Sequence, residues 1–159
     1  MNTEIRFATK ADMPKVLELI QELAVFEKEP DAVEIDVDYL VDKGFGNQPE
    51  FTCFVAEVDT VICGIALVYK RFSTWKGITL HLEDLIVSYK NRGLGLGTKL
   101  LNRVVEYASE LQVKRVTWEV LDWNQPAIDF YNKKGADIKA DWRVVHLDES
   151  GIKNYLERI

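Results

Sequence analysis

The residues Arg92-Gly93-Leu94-Gly95-Leu96-Gly97-Thr98 set a cation, three alternating glycines and a hydroxyl side by side. An apolar, strand-like run, Thr79 to Val87, leads into them, and Lys99 to Ala108 follows with apolar residues at helical spacing. A strand, a glycine turn and a helix start together make an anion site. The first helical N–H groups lack intrahelical partners, and the helix dipole adds partial positive charge there. Glycine lets such a backbone come close to a phosphate with no Cβ in the way. The spacing excludes two familiar phosphate loops. A dinucleotide fingerprint requires a third glycine where Thr98 stands. A mononucleotide loop ends in Gly-Lys-Ser/Thr, whereas the order here is Gly97-Thr98-Lys99. The second chemically suggestive residue is Glu83. It lies inside the apolar run, two places before Leu85, where a charge needs a reason.

The elements that must hold these residues follow from patterning. Ile5 and Phe7 alternate with polar residues in a first strand, about Glu4 to Ala8. Thr9 caps a helix whose apolar positions recur from Val16 to Phe26, with Pro14 tolerated in its first turn. Glu27 to Glu34 is a charged loop around Pro30, and Asp36 to Lys43 is a short second helix stopped by Gly44. Thr52 to Val58 and Val61 to Tyr69 flank a turn at Asp59-Thr60 and predict a hairpin. A second turn, Ser73 to Gly77, leads into Thr79 to Val87. A third helix runs from about Gly95 to Leu111, and Val113 to Leu121 reads as a strand. Asn124 caps a helix with Pro126 in its first turn, ending at Gly135. Trp142 to Leu147 is expected as a last strand and Ser150 to Ile159 as a terminal helix. A meander followed by a crossover helix implies an α/β (α+β) fold, a mixed, mostly antiparallel sheet with helices on both faces.

A chain of 159 residues is expected to form one domain, residues 1–159. Apolar residues make up 47% and charged residues 29%, the balance of a soluble globular protein. The net charge of −6 disfavours a nucleic-acid partner and suits long-range attraction of small cations. No apolar run approaches the roughly 20 residues of a membrane helix. The N-terminus lacks a signal-peptide pattern. Cys53 and Cys63 lie in apolar runs and read as buried thiols, which points to the cytoplasm, with a bridge between adjacent strands left open. No Cys and His cluster has metal-site spacing, so no metal is expected.

Arg92-x-x-Gly95-x-Gly97 resembles the coenzyme A diphosphate loop of the GNAT family of N-acetyltransferases. The element order is also that of the GNAT acyl-CoA N-acyltransferase fold, with the glycine loop between the fourth strand and the third helix. Leu82-Glu83-Asp84 and Asp122-Trp123-Asn124 with Phe130-Tyr131 resemble the spermidine/spermine (diamine) acetyltransferase subfamily. Phe26-Glu27-Lys28, Gly44-Phe45-Gly46, Ser73 to Gly77 and Leu121 to Gln125 look more like its thialysine acetyltransferase branch. The likeness covers nearly the whole chain.

That resemblance implies acetyl-CoA as co-substrate and the primary amine of a small molecule as acceptor. Direct transfer in a ternary complex is expected because no cysteine sits near the glycine loop or Tyr131 to carry the acyl group. The resemblance also implies that the backbone of Arg92, Gly93, Leu94, Gly95, Leu96, Gly97 and Thr98 holds the diphosphate. Leu85, Ile86 and Val87, on a strand that splays from its neighbour, would offer main-chain groups to the pantetheine arm and the thioester carbonyl. Asn124 to Ala127 would be a second contact segment. An alkyl ammonium, with a pKa of about 10.4, is rarely nucleophilic at neutral pH, and Glu83 is the expected proton acceptor. Tyr131 stands at the family's catalytic tyrosine and would protonate the departing thiolate. Asp84, expected on the face opposite Glu83, is assigned to structure or a secondary substrate contact. Phe26, Glu27 and Glu119 would add to the amine pocket, and His81 is expected to be a hydrogen-bonded strand histidine. A homodimer is expected by analogy. The chain departs from the diamine enzymes at Phe26-Glu27, where they carry tyrosine-glutamate, and at Ser73, where they carry an acid. Losing a hydroxyl and a carboxylate favours a singly charged side-chain amine, such as thialysine or a lysine analogue, over a polyamine. A protein or peptide amine acetyltransferase and a non-catalytic acyl-CoA sensor are the alternatives.

Overall fold

Apolar runs, continuously buried in the three central strands, build a five-stranded sheet in the computed structural model, which describes residues 1–159. The strands are β1 (Thr3–Phe7), β2 (Thr52–Val58), β3 (Val61–Ser73), β4 (Gly77–Val87) and β5 (Val116–Thr117), hydrogen-bonded in that order. β1 to β4 pair antiparallel, and β5 runs parallel to β4. Asp59 and Thr60, with φ of 47° and 71°, close the hairpin between β2 and β3.

Helices cover both faces. On one, α1 (Met13–Phe26) and α2 (Val37–Phe45) bring Met13, Val16, Leu19 and Leu40 onto Cys53, Val55, Ile65 and Ile86. On the other, α3 (Leu96–Glu110) sets Tyr107 5.4 Å from the Phe54 ring and the Arg103 guanidinium 5.0 Å from it. A Cβ at Gly64 would lie 2.8 Å from the Ile86 carbonyl oxygen and 3.2 Å from Leu100 Cδ1, so glycine is what lets β3, β4 and α3 meet. The chain divides into two compact units, Met1–Glu119 and Val120–Ile159. The second carries α4 (Gln125–Lys133), capped by Asn124, and α5 (Glu149–Leu156), capped by Asp148.

Several elements differ from expectation. α2 runs past Gly44 to Phe45. Gly44 is there for contact, since a Cβ on it would lie 2.6 Å from Phe51 Cζ. The strand expected at Val113 to Leu121 shrinks to Val116–Thr117, and 142–147 forms no strand. Both runs have strand-like composition, but a strand exists only through pairing. β5 finds a partner in β4 only at Leu80 and His81, and 142–147 pairs with none of the five strands.

One ion-pair network ties the start of the chain to the sheet. Asp12 accepts from Arg6 at 2.7 and 3.1 Å and from the Thr9 amide and hydroxyl at 2.7 and 2.9 Å, while Arg6 also pairs with Glu57. The Arg6 guanidinium is the main reason the Asp12 carboxyl is held down at about 2. A folded pKa below the unfolded value gives stability that is present above about pH 4 and lost as pH falls through about 2. Asp12→Asn should therefore cost about 1–3 kcal/mol near neutral pH. Thermal unfolding across pH checks this. The gap to wild type should close toward about pH 2, and a gap independent of pH would place the loss in the turn rather than the charge.

Candidate active site

The glycine loop leaves β4 through a tight 3-10 turn, Tyr89–Asn91. The Ser88 amide donates to the Cys63 carbonyl at 2.8 Å, and the Tyr89 amide donates to Glu22 Oε1 on α1 at 2.7 Å. Arg92 donates from Nε to the Val87 carbonyl at 3.3 Å, and its guanidinium lies 5.3 Å from the Phe26 ring and 5.6 Å from the Tyr89 ring. It therefore shapes the loop. Gly93 and Gly95 have φ of +83° and +74°, and a Cβ on either would meet nothing within 4 Å. Backbone handedness, not crowding within the protein, demands glycine at both. Gly97 is ordinary helix, and a Cβ there would touch only Val87 Cγ2, at 3.9 Å. Gly95 is the N-cap of α3, and the Lys99 amide closes its first turn onto the Gly95 carbonyl at 3.1 Å. The amides of Leu96, Gly97 and Thr98 precede that bond and are the orphan donors of a helix start.

β4 supplies the other half. Beyond His81 it has β3 on one side and no strand on the other, so main-chain groups between Leu82 and Val87 face an open edge. This is the splay expected around Leu85, Ile86 and Val87. The β3–β4 register also slips by one residue. Leu67 pairs with Asp84 and Val68 with Leu82, leaving Glu83 as the extra residue of a bulge. The expectation that Asp84 points away from Glu83 fails for that reason. With one residue inserted, His81, Glu83, Asp84 and Ile86 all belong to the face covered by α1 and α2, and Glu83 and Asp84 line one cavity of about 660 Å³.

Asp84 is the more perturbed carboxyl. Burial, then the charges of Glu83 and Glu27, push it up to about 6, and no hydrogen bond or ion pair of the protein offsets this. Glu27, just past α1, is exposed as a residue, yet its carboxyl is raised by partial burial. Glu83 itself is half-exposed, with Oε2 3.6 Å from His81 Nε2. His81 is buried, lowered from its ordinary value chiefly by that burial, and its Nδ1 is 2.8 Å from Thr117 Oγ1. The expected strand histidine is hydrogen-bonded and also faces Glu83. Tyr69 sits across from it, rings 5.2 Å apart, its phenol raised by burial and by Glu83. Glu119 acts electrostatically on both Tyr69 and His81.

In the second unit, Asn124 Oδ1 accepts from the Ala127 amide at 3.4 Å, a helix cap. Tyr131 is the buried residue of α4, and burial raises its phenol, which keeps it protonated at neutral pH. Sequence reasoning missed Tyr39, Lys43, Glu50, Phe51 and Tyr69, which share the cavity lining. The spacing of Tyr39 and Lys43, four apart on α2, was the only available signal.

Orphan amides at a helix start, reached from an open strand edge whose bulge carries two carboxyls, define the layout of an acyl-CoA-dependent N-acyltransferase. Residues 14–136 match the model of the Acetyltransferase (GNAT) family, and the chain belongs to that family. It is 39% identical over 140 residues to the thialysine N-epsilon-acetyltransferase of Bos taurus, covering 83% of this chain and 82% of that one. It is 36% identical over 140 residues to spermidine/spermine N(1)-acetyltransferase-like protein 1 of Homo sapiens, covering 84% of this chain and 20% of that longer one. Its fold matches a predicted acetyltransferase from Clostridium acetobutylicum solved with acetyl-CoA, with a TM-score of 0.74, 19% identity and coverage of 92% and 97%. The chain is an acetyl-CoA-dependent N-acetyltransferase.

The Asp84 environment has a sign that can be measured. Its folded pKa lies above the unfolded value, so its contribution to stability is greatest below about pH 4 and falls as pH rises to about 6. Asp84→Asn should raise the unfolding temperature at about pH 8, by on the order of 2–3 kcal/mol in stability, and by much less at pH 4. Destabilisation at both values would contradict an uncompensated carboxylate.

Proposed function

We propose that the cavity over the β4 bulge takes the primary amine of a small molecule, and that a side-chain amine of a lysine-like amino acid is favoured over a polyamine. One observation carries this. The bulge puts Glu83 and Asp84 into one cavity, where Asp84 is a nearly buried carboxylate with no counter-charge. A substrate ammonium is the partner it lacks. With its carboxyl near 6, Asp84 is ionised at neutral pH and matched to accept a proton, directly or through water. Glu83, more exposed and expected from sequence to be that acceptor, holds the ammonium and passes the proton inward. Glu27 and Glu119 add negative charge, and Phe26 keeps Arg92 on the loop.

Acetyl-CoA supplies an activated acyl carbonyl when bound. The amides of Gly93 to Thr98 suit its diphosphate, and the open edge at Leu85, Ile86 and Val87 suits the arm and the carbonyl oxygen. Asn124 to Ala127 is a second contact segment, and the Tyr131 hydroxyl gives its proton to the thiolate as the amide forms. Direct transfer is favoured by the state of the thiols. Cys53 is pushed up to about 12 by burial, and Cys63, whose carbonyl bonds Ser88, donates its buried thiol to Val61 O at 3.2 Å. The family match at 14–136 runs from the first compact unit into the second, which supports one domain over 1–159. Exposed apolar side chains at Trp142, Val144, Val145 and Leu147 support a homodimer. No helix is long and apolar enough to cross a membrane, and two free thiols support a cytoplasmic location.

Thiol release from acetyl-CoA across thialysine, lysine, spermidine and a lysine peptide tests the substrate class. Thialysine should give the highest kcat/KM, and a preference for spermidine or the peptide would overturn the reading. Glu83→Gln, Asp84→Asn and Tyr131→Phe should each lower kcat by about 10²-fold or more, while acetyl-CoA binding by calorimetry persists. Wild-type turnover removes that residue from the mechanism. Gly97→Ala separates fold from ligand. The added methyl should improve helix stability by about 0.5–1 kcal/mol yet raise the KM for acetyl-CoA; an unchanged KM would remove α3's first turn from the cofactor site.

A further inference from the structure

The cavity is not acidic throughout. α2 and the loop after it contribute part of its lining, where Lys43 and Glu50 join Tyr39 and Phe51. These two opposite charges are held at one place by the backbone. The Glu50 amide donates to the Lys43 carbonyl at 2.7 Å, and the contact of Gly44 with Phe51 packs the returning loop against the helix. The Lys43 ammonium lies 5.6 Å from the Tyr39 ring, and its one ion pair is with Asp42, its exposed neighbour in sequence, at 3.1 Å. Both side chains of that pair are exposed, and solvent screens it. Glu50 and Asp42 add the charges that face Lys43.

The lining therefore has two poles. Carboxyls of Glu83 and Asp84 form one, and a cation beside a carboxylate forms the other. A polyamine is cationic along its whole length and offers no anion to Lys43. An α-amino acid with an unbranched side-chain amine matches both poles: ammonium toward Glu83 and Asp84, α-carboxylate toward Lys43, α-ammonium toward Glu50. The cavity's volume is that of a small-molecule site. We propose that Lys43 and Glu50 form a subsite for the α-amino-carboxylate end of the acceptor, and that this subsite selects amino acids over polyamines. The proposal rests on the amine pocket described above and names the substrate class that it serves.

The test compares kcat/KM for thialysine and for thialysine carboxamide, which keeps the reacting amine and loses the negative charge. Wild-type enzyme should favour the free acid about tenfold or more, mainly through KM, as expected for one charge-assisted contact. Lys43→Met should erase that preference by weakening use of the acid while improving use of the amide. Equal use of acid and amide by the wild type, or a preference that survives in Lys43→Met, overturns the subsite even though the amine pocket stands. Failure of the wild type to acetylate either compound, with spermidine acetylated, overturns both the subsite and the amino acid reading. The wild-type comparison remains decisive if the variant does not fold.

Discussion

A single extra residue in β4 sets the geometry of the cavity that we propose takes the amine. In a regular strand, side chains alternate, and adjacent acids would face opposite sides of the sheet. The slip between Leu67 and Val68 removes that alternation at Glu83. Two carboxyls then share one cavity with no protein cation between them, an arrangement that costs free energy unless a ligand supplies the charge. Burial and mutual repulsion raise Asp84 for that reason.

The same strand connects the two halves of the site. β4 parts from β5 after His81, which exposes main-chain groups along an edge, and then ends where Arg92 and the Tyr89–Asn91 turn redirect the chain into α3. Left-handed backbone at Gly93 and Gly95 makes that redirection without a side chain on the outer surface. Amine pocket, open edge and helix start are thus consecutive features of about twenty residues.

Much of this was legible in the chain. The hairpin at Asp59-Thr60, the glycine loop before α3 and the cap Asn124 follow from local rules, because turns and helix ends are decided by a few adjacent residues. Glu83 stood out because a charge in an apolar run is rare. What was not legible depends on partners. Strand length is set by the neighbour, so β5 and 142–147 were overestimated from composition alone. The bulge has no sequence mark, so strand alternation alone places Asp84 on the wrong face and gives no sign of its raised pKa. Lys43 and Glu50 were invisible because nothing in α2 announces that its polar face overhangs a cavity, and the packing role of Gly44 was mistaken for a helix stop.

The most direct measurement is the titration of the Asp84 carboxyl carbon by NMR in the free enzyme and with thialysine bound. The account predicts a midpoint near 6 in the free enzyme that moves down when the ammonium arrives, since an adjacent cation favours the charged form. A midpoint at the ordinary aspartate value, or one that ignores the amine, would contradict it.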